Sequence, residues 1–367
     1  MPKSLQEIYQ GKKVFLTGHT GFKGSWLSLW LEKLGAEVTG YALPPDTSPS
    51  LFEELNLASS LTHVVGDVRD FDALSNAMDS AKPDVVMHLA AQALVQPSYK
   101  NPRETYESNV MGTVNLLEAV RSCDSVKTCL IVTSDKCYDN LETDRGYRET
   151  DAMGGYDPYS SSKGCSELVT NSWRNSYFNP DDYGSKHNVA LASGRAGNVI
   201  GGGDWAEARI VPDIARAISK AEDVVLRNPA AIRPWQHVME PLAGYLHVTA
   251  KMMTDNVTYA SGWNFGPKES RGVTVGELVE HMIDAWGAGS FTVSNVEQPH
   301  EAKLLYLDIS KADAQLNWRP KLDPEEAIRL TSDWYKSYYS GCRDDDLIAL
   351  TLKHINDYQD SMDYATY

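Results

Sequence analysis

Lys13-Val14-Phe15-Leu16-Thr17-Gly18-His19-Thr20-Gly21-Phe22-Lys23-Gly24 decides how the rest of this 367-residue chain is read. Its first five residues form a short apolar run of strand type. Trp26, Leu27, Leu29, Trp30 and Leu34 then recur at helical spacing, and Gly35 stops that helix. Three glycines therefore sit between a strand and a helix. Gly18 permits a tight turn, Gly21 lets backbone approach a pyrophosphate, and Gly24 lets the helix pack closely on the strand. The free N–H groups at the helix start face the phosphates. A glycine triplet alone is weak evidence, but strand before and helix after make it a dinucleotide-binding turn.

Working outward, strands are predicted at Glu37–Tyr41, Leu61–Gly66, Asp84–Leu89, Thr128–Ser134 and Val189–Ser193. A helical stripe of Val110, Val114, Leu117 and Val120 falls between two of them, and a further helix runs from about Tyr159 to Tyr177. This alternation predicts an α/β fold, a Rossmann-type doubly wound parallel sheet. Beyond Gly201-Gly202-Gly203 it loosens: short strands near Val224 and Trp263 mix with helices at Arg209–Lys220, Pro241–Met253 and Thr274–Trp286. The expected division is a dinucleotide-binding domain over 1–190 and a smaller substrate-binding domain over 191–367, interleaved with segments that return to the sheet over about 224–265. Leu347, Leu350, Leu352 and Ile355 mark a docked amphipathic helix in the tail.

The hydrophobic share of 42% and charged share of 23% are those of an ordinary globular protein. A net charge of −16 repels phosphate backbones and anionic lipid, so neither nucleic acid nor membrane is expected as a partner. No apolar run reaches the roughly 20 residues of a membrane span. The five cysteines (Cys123, Cys129, Cys137, Cys165, Cys342) are odd in number and lack metal-ligand spacing. They are expected to be reduced thiols of a cytoplasmic protein, with no metal site.

The Gly-x-x-Gly-x-x-Gly spacing resembles that of the extended short-chain dehydrogenase/reductases. The resemblance implies cofactor contacts from Gly18, Gly21, Phe22 and Gly24, from Asp67 and Val68 after the third strand, and from Leu89-Ala90-Ala91 after the fourth. The second strand, ending Thr39-Gly40-Tyr41-Ala42, lacks the acidic residue that holds the ribose 2′-hydroxyl of NAD. No arginine stands there for a 2′-phosphate, although His19 and Lys23 are close by. NAD is the expected cofactor. Tyr159 and Lys163 lie four apart on one helical face. A tyrosine of pKa ~10 is a poor base at neutral pH, and a nearby ammonium favours its phenolate while a hydride leaves to the cofactor. In this family a Ser or Thr holds the reacting hydroxyl, a place that Ser134 fills here, and Tyr159 and Lys163 also contact the cofactor.

Asp135 and Lys136 follow Ser134 directly, at the mouth of the sheet where ligands bind in open α/β folds. A nucleotide-sugar 4-epimerase, the alternative enzyme on this fold, typically carries small residues there. A non-enzymatic dinucleotide sensor would show a broken redox set, whereas all three redox residues are present. From Gly18 to about Trp334 the chain resembles the sugar nucleotide 4,6-dehydratases, and Asp-Lys in place of their usual Asp-Glu resembles the CDP-glucose branch. The resemblance implies a lyase that oxidises C4, removes the C5 proton, expels the C6 hydroxyl as water and returns hydride to C6. It makes Tyr159 the C4 base and Asp135 the acid at C6, and leaves Lys136 as either the C5 base or a stabiliser of the enolate. It assigns Asn198, Arg209, Arg233 and His300 to the nucleotide-sugar substrate. It further implies a homodimer or dimer of dimers, formed by the helix of Val110, Val114 and Leu117 with the helix that begins near Tyr159.

Overall fold

Strand burial alternates between two faces of one sheet, and that alternation fixes the architecture of the computed structural model. It describes residues 3–207, 209–268, 272–294 and 305–362. Seven strands build the sheet: β1 (Lys13–Thr17), β2 (Glu37–Ala42), β3 (Thr62–Val65), β4 (Val85–His88), β5 (Thr128–Val132), β6 (Ala190–Arg195) and β7 (Gly262–Asn264). Their order is β7-β6-β5-β4-β1-β2-β3, and every neighbouring pair is parallel. Val14 and Leu16 join one hydrophobic cluster with Leu130 and Val132, while Phe15 joins another with Cys129 and Ile131. That is the period-2 pattern of a sheet covered on both faces.

The chain leaves β1 toward β2 and β3, then returns to place β4 on β1's other side. A crevice therefore opens at the carboxyl ends of β1 and β4, the switch point where such sheets bind ligands. Five helices matter for the site or its support: α1 (Phe22–Lys33), α2 (Gly112–Ser122), α3 (Pro158–Ser176), α4 (Met239–Asp255) and α5 (Asp344–Asp360). The predicted strands and helices match these elements to within a few residues.

The stripe of Val110, Val114, Leu117 and Val120 is corrected at its start. Residues Glu107–Met111 form a π-turn, which rotates the buried face away from a steady 3.6-residue period. Asn109, Thr113, Leu116, Leu117 and Val120 point inward, whereas Val110 and Val114 are only half-buried. Leu117 is fully buried in the core beneath the sheet. Past β6, Val224–Leu226 pairs in parallel with Phe291–Val293 outside the central sheet, whereas β7 extends it. One continuous apolar cluster joins Trp26 and Trp30 of α1 to Trp263, Trp334 and Tyr358. The two halves of the chain thus share a core.

Candidate active site

Two of the turn's glycines are demanded by the protein's own packing, and the third is not. Gly18 has φ +76°, and a Cβ there would stand 2.6 Å from the Ala90 nitrogen. At Gly24 a Cβ would stand 2.1 Å from the Gly18 oxygen, so α1 could not approach β1. At Gly21 the nearest atom would be Gly18 O at 3.5 Å, an ordinary contact. Gly21 is the N-cap of α1, and no side chain among the described residues caps the N–H groups of its first turn. The space beside Gly21 is thus a cradle that a side chain would narrow and a pyrophosphate fits.

The walls of that crevice are pinned. Thr17 Oγ1 bonds His88 Nδ1 at 2.7 Å and accepts from the Ala90 N–H at 3.2 Å. Asn109, turned inward by the π-turn, accepts from the Gln92 N–H at 2.8 Å and donates to the Gln92 carbonyl at 3.0 Å. Its amide also donates to Ser162 Oγ at 2.8 Å, which ties the Leu89-Ala90-Ala91 segment to α3. Asp67 is paired within the protein. Its two oxygens are taken by Arg69, through the backbone N–H at 2.9 Å and the side chain at 2.8 and 2.5 Å. Those hydrogen bonds hold its carboxyl below the usual range. Val68 is buried against Gly112 at the start of α2. Where β2 lacks an acid, the His19 ring lies against Gly40, and its Nε2 bonds His63 Nδ1 at 2.7 Å.

The structure brings Ser134, Asp135, Tyr159 and Lys163 together. Ser134 lies two residues past β5, and its Oγ donates to Asp135 Oδ1 at 2.8 Å and accepts from the Lys136 N–H at 3.2 Å. Asp157 caps α3 through the Ser160 N–H, with Pro158 in the first turn, and so sets the orientation of Tyr159 and Lys163. The Tyr159 hydroxyl lies near Ser134. Burial pushes its phenol up to about 12, with Ser134 acting the other way. Lys163 donates to the Val132 carbonyl at 3.4 Å. Burial pushes its ammonium down to about 8, opposed by Glu167 one turn further along α3. Lys136, next in the chain to Asp135, is half-buried.

On the substrate side, Asn198 adopts φ +46° in the loop after β6, and its carbonyl accepts from the Gln236 N–H at 3.2 Å. Gln236 and His237 pair with Val199 and Ile200, so the stretches around Asn198 and Arg233 are joined. Arg209 donates to Asp204 at 2.7 Å. Burial opposes its charge, but Asp204 and Tyr159 hold the guanidinium above its ordinary range, which places it beside the redox pair. Arg233 is half-buried and donates to the Ile232 carbonyl at 2.8 Å. His300 lies outside the described residues.

Three supporting residues were missed in the sequence. Gly197 lies under the acid: a Cβ there would stand 1.9 Å from Asp135 Oδ2. Gln236 donates to the carbonyls of Gly197 and Phe265 at 3.0 and 3.1 Å and lines a small cavity with Asp135 and Tyr306. Glu167 pairs with Arg195 at 2.8 Å behind α3. Gly197 stood inside the glycine-rich run 194–203, the one signal that pointed to it. A larger cleft of about 800 Å³ lies beyond α3 around Arg174 and Lys311, and none of the predicted site residues line it.

The sequence model of the GDP-mannose 4,6 dehydratase family matches residues 15–331. The chain belongs to that family. Among curated relatives, the CDP-glucose 4,6-dehydratase of Salmonella typhimurium is 50% identical over 354 residues, 96% of this chain and 98% of its own. A UDP-glucose 4-epimerase of Pisum sativum is 26% identical, over 91% of this chain and 99% of its own. Among solved structures, the Thermus thermophilus UDP-glucose 4-epimerase in complex with NAD superposes with TM-score 0.74 at 26% identity, covering 89% of this chain and 99% of that one. The epimerase likeness is thus one of shared fold at distant identity. This dehydratase-family chain is an enzyme, a nucleotide-sugar 4,6-dehydratase, and the site geometry above is that enzyme's candidate machinery.

Proposed function

We propose that this lyase converts CDP-D-glucose to CDP-4-dehydro-6-deoxy-D-glucose and water, with NAD as its resident cofactor, in deoxysugar biosynthesis. The observation that carries it is the placing of Ser134 and Asp135 near Tyr159, with Lys136 next in the chain, beside half-identity to a CDP-glucose dehydratase across nearly the whole chain. Gly18, Gly21, Phe22 and Gly24 would hold the dinucleotide, with Leu89, Ala90 and Ala91 on its nicotinamide side and Asp67 and Val68 near the adenine. Once bound, the cofactor supplies a hydride acceptor for C4 and the same hydride's donor for C6.

Every other step falls to the chain's own groups. Tyr159 Oη takes the proton of the C4 hydroxyl, and the Lys163 ammonium stabilises the phenolate that burial alone disfavours. Ser134 orients that hydroxyl. The 4-keto group then acidifies the C5 proton, Lys136 acts at C5 as base or enolate stabiliser, and Asp135 protonates the departing C6 oxygen; a proton returns to C5 as the hydride adds to C6. Asn198, Arg209, Arg233 and His300 bind the nucleotide sugar, for which arginine forks suit the diphosphate.

Residues 1–190 hold mainly the cofactor and 191–367 mainly the nucleotide sugar, with segments within about 224–265 interleaved between them. We place the enzyme in the cytoplasm, a reading that its five free cysteines support. Among the described residues, no helix is long and apolar enough to cross a membrane. A homodimer, or a dimer of such dimers, is supported by Met111 and Leu168, exposed apolar side chains beside α2 and on α3.

The test is a panel of CDP-, dTDP-, UDP- and GDP-glucose, read by the alkaline absorbance of a 4-keto sugar. CDP-glucose should exceed the others in kcat/KM by at least about tenfold. Preference for another base would overturn the substrate, and an inverted C4 hydroxyl in place of water loss would overturn the reaction.

A further inference from the structure

Lys23 is the second residue of α1, directly beyond the Gly21 cradle, and it is half-buried. It makes no hydrogen bond or ion pair among the described residues. The charged groups facing it are Arg209 and Lys163, of like sign, and Asp135 and Asp204, of opposite sign. Both acids are engaged elsewhere: Asp204 accepts from Arg209 at 2.7 Å, and Asp135 accepts from Ser134 at 2.8 Å. The positive end of a 12-residue helix adds to the three cations. An ammonium withdrawn from water and left without an acceptor is unfavourable, and an apolar residue would fill the same turn without that penalty. Its neighbours Phe22 and Trp26 both pack as hydrophobes. The arrangement makes sense for a group whose acceptor arrives with a ligand.

We infer that the Lys23 ammonium binds a diphosphate ester, bridging the Gly21 turn and the Arg209 side of the site. Two ligands carry that chemistry, the dinucleotide at the turn and the nucleotide sugar near Arg209. The inference rests on the nucleotide-sugar reading above, which makes both available. Burial, Arg209 and Lys163 push the unliganded ammonium down to about 8. An anionic partner raises that value, so binding near pH ~8 draws a proton from solution.

The experiment titrates the full chain, as wild type, Lys23→Met and Lys23→Arg, with NADH, CDP and cytidine in calorimetry buffers of two ionisation enthalpies near pH ~8. Lys23→Met should bind CDP, NADH or both at least about tenfold more weakly, a loss of ~1.4 kcal/mol. Binding of cytidine, which carries no phosphate, should be unchanged. An effect on CDP assigns the substrate's diphosphate, and an effect on NADH assigns the cofactor's. Lys23→Met should take up fewer protons on binding, and Lys23→Arg should keep the affinity without the extra proton. Thermal melts check that both variants fold. Wild-type affinity of Lys23→Met for CDP and NADH together would overturn the inference. Absence of CDP-glucose turnover by the wild type would instead refute the substrate reading and leave the NADH comparison standing.

Discussion

Tyr159 is a weaker acid in its buried place than in water, so the base role proposed for it depends on its neighbours. With the phenol pushed up to about 12 and the Lys163 ammonium down to about 8, the charge that favours the phenolate is present below pH 8 and lost above it. Catalysis needs phenolate and ammonium together, one proton fewer than phenol and ammonium, so the profile of kcat/KM should rise with pH up to about 8 and level off above it; a profile still rising about tenfold per pH unit to pH ~10 would contradict the role of Lys163. Tyr159→Phe should lower turnover by ~100-fold or more while cofactor still binds, measured by steady-state rate and NADH titration. Gly197→Ala tests the acid, because a Cβ 1.9 Å from Asp135 Oδ2 must displace that carboxyl. C4 oxidation should then outlast water loss, so that reduced cofactor accumulates in single-turnover absorbance; equal loss of both steps would argue against Asp135. At this scale the redox residues were legible because motif, order and spacing coincide. Gly197 was not, since its contact with Asp135 joins β6's end to β5's end and leaves no local pattern.

Element by element, α3 is held where the chemistry needs it by a buried ion pair. Glu167 accepts from Arg195 and Ser193 at 2.8 Å each and from Thr133 at 2.5 Å, so it fastens α3 to β5 and β6. Desolvation opposes its charge, yet the Arg195 pair keeps the carboxyl below its ordinary range. Glu167→Ala leaves Arg195 buried without its partner and should cost about 3–5 kcal/mol in chemical unfolding, whereas a loss under about 1 kcal/mol would show that the pair contributes little. The helix boundaries were legible because caps and glycines are local signals. The π-turn was not: an extra residue in one turn shifts the buried face, and apolar residues at Val110 and Val114 fit an unbroken period equally well. Asn109, a polar residue inside an apparent apolar stripe, was the trace it left.

Across the whole molecule, the tail is part of the core. Glu240 of α4 is fully buried and accepts from the N–H groups of Lys321 and Leu322 at 2.8 and 2.7 Å and from the Tyr358 hydroxyl of α5 at 2.6 Å. Burial nevertheless raises its carboxyl to about 7, above an unfolded value of 4.5. Such a group contributes its stability below pH ~4.5, and that contribution is lost as pH rises through about 7, by up to ~3 kcal/mol. The wild type should therefore melt lower at pH ~8 than at pH ~6, and Glu240→Gln should remove much of that difference. An identical pH dependence in the variant would contradict the assignment. The amphipathic tail helix was legible in Leu347 and Ile355, but its buried carboxylate anchor depends on contacts more than 80 residues apart in sequence. In the proposed dehydration one hydride leaves C4 and returns to C6. Supplying CDP-glucose deuterated at C4 and locating the label by NMR and mass spectrometry follows that hydride. The product should be CDP-4-dehydro-6-deoxyglucose with the deuterium at C6 and one water lost per molecule. Deuterium retained at C4 of an epimerised sugar, or released to solvent, would contradict it.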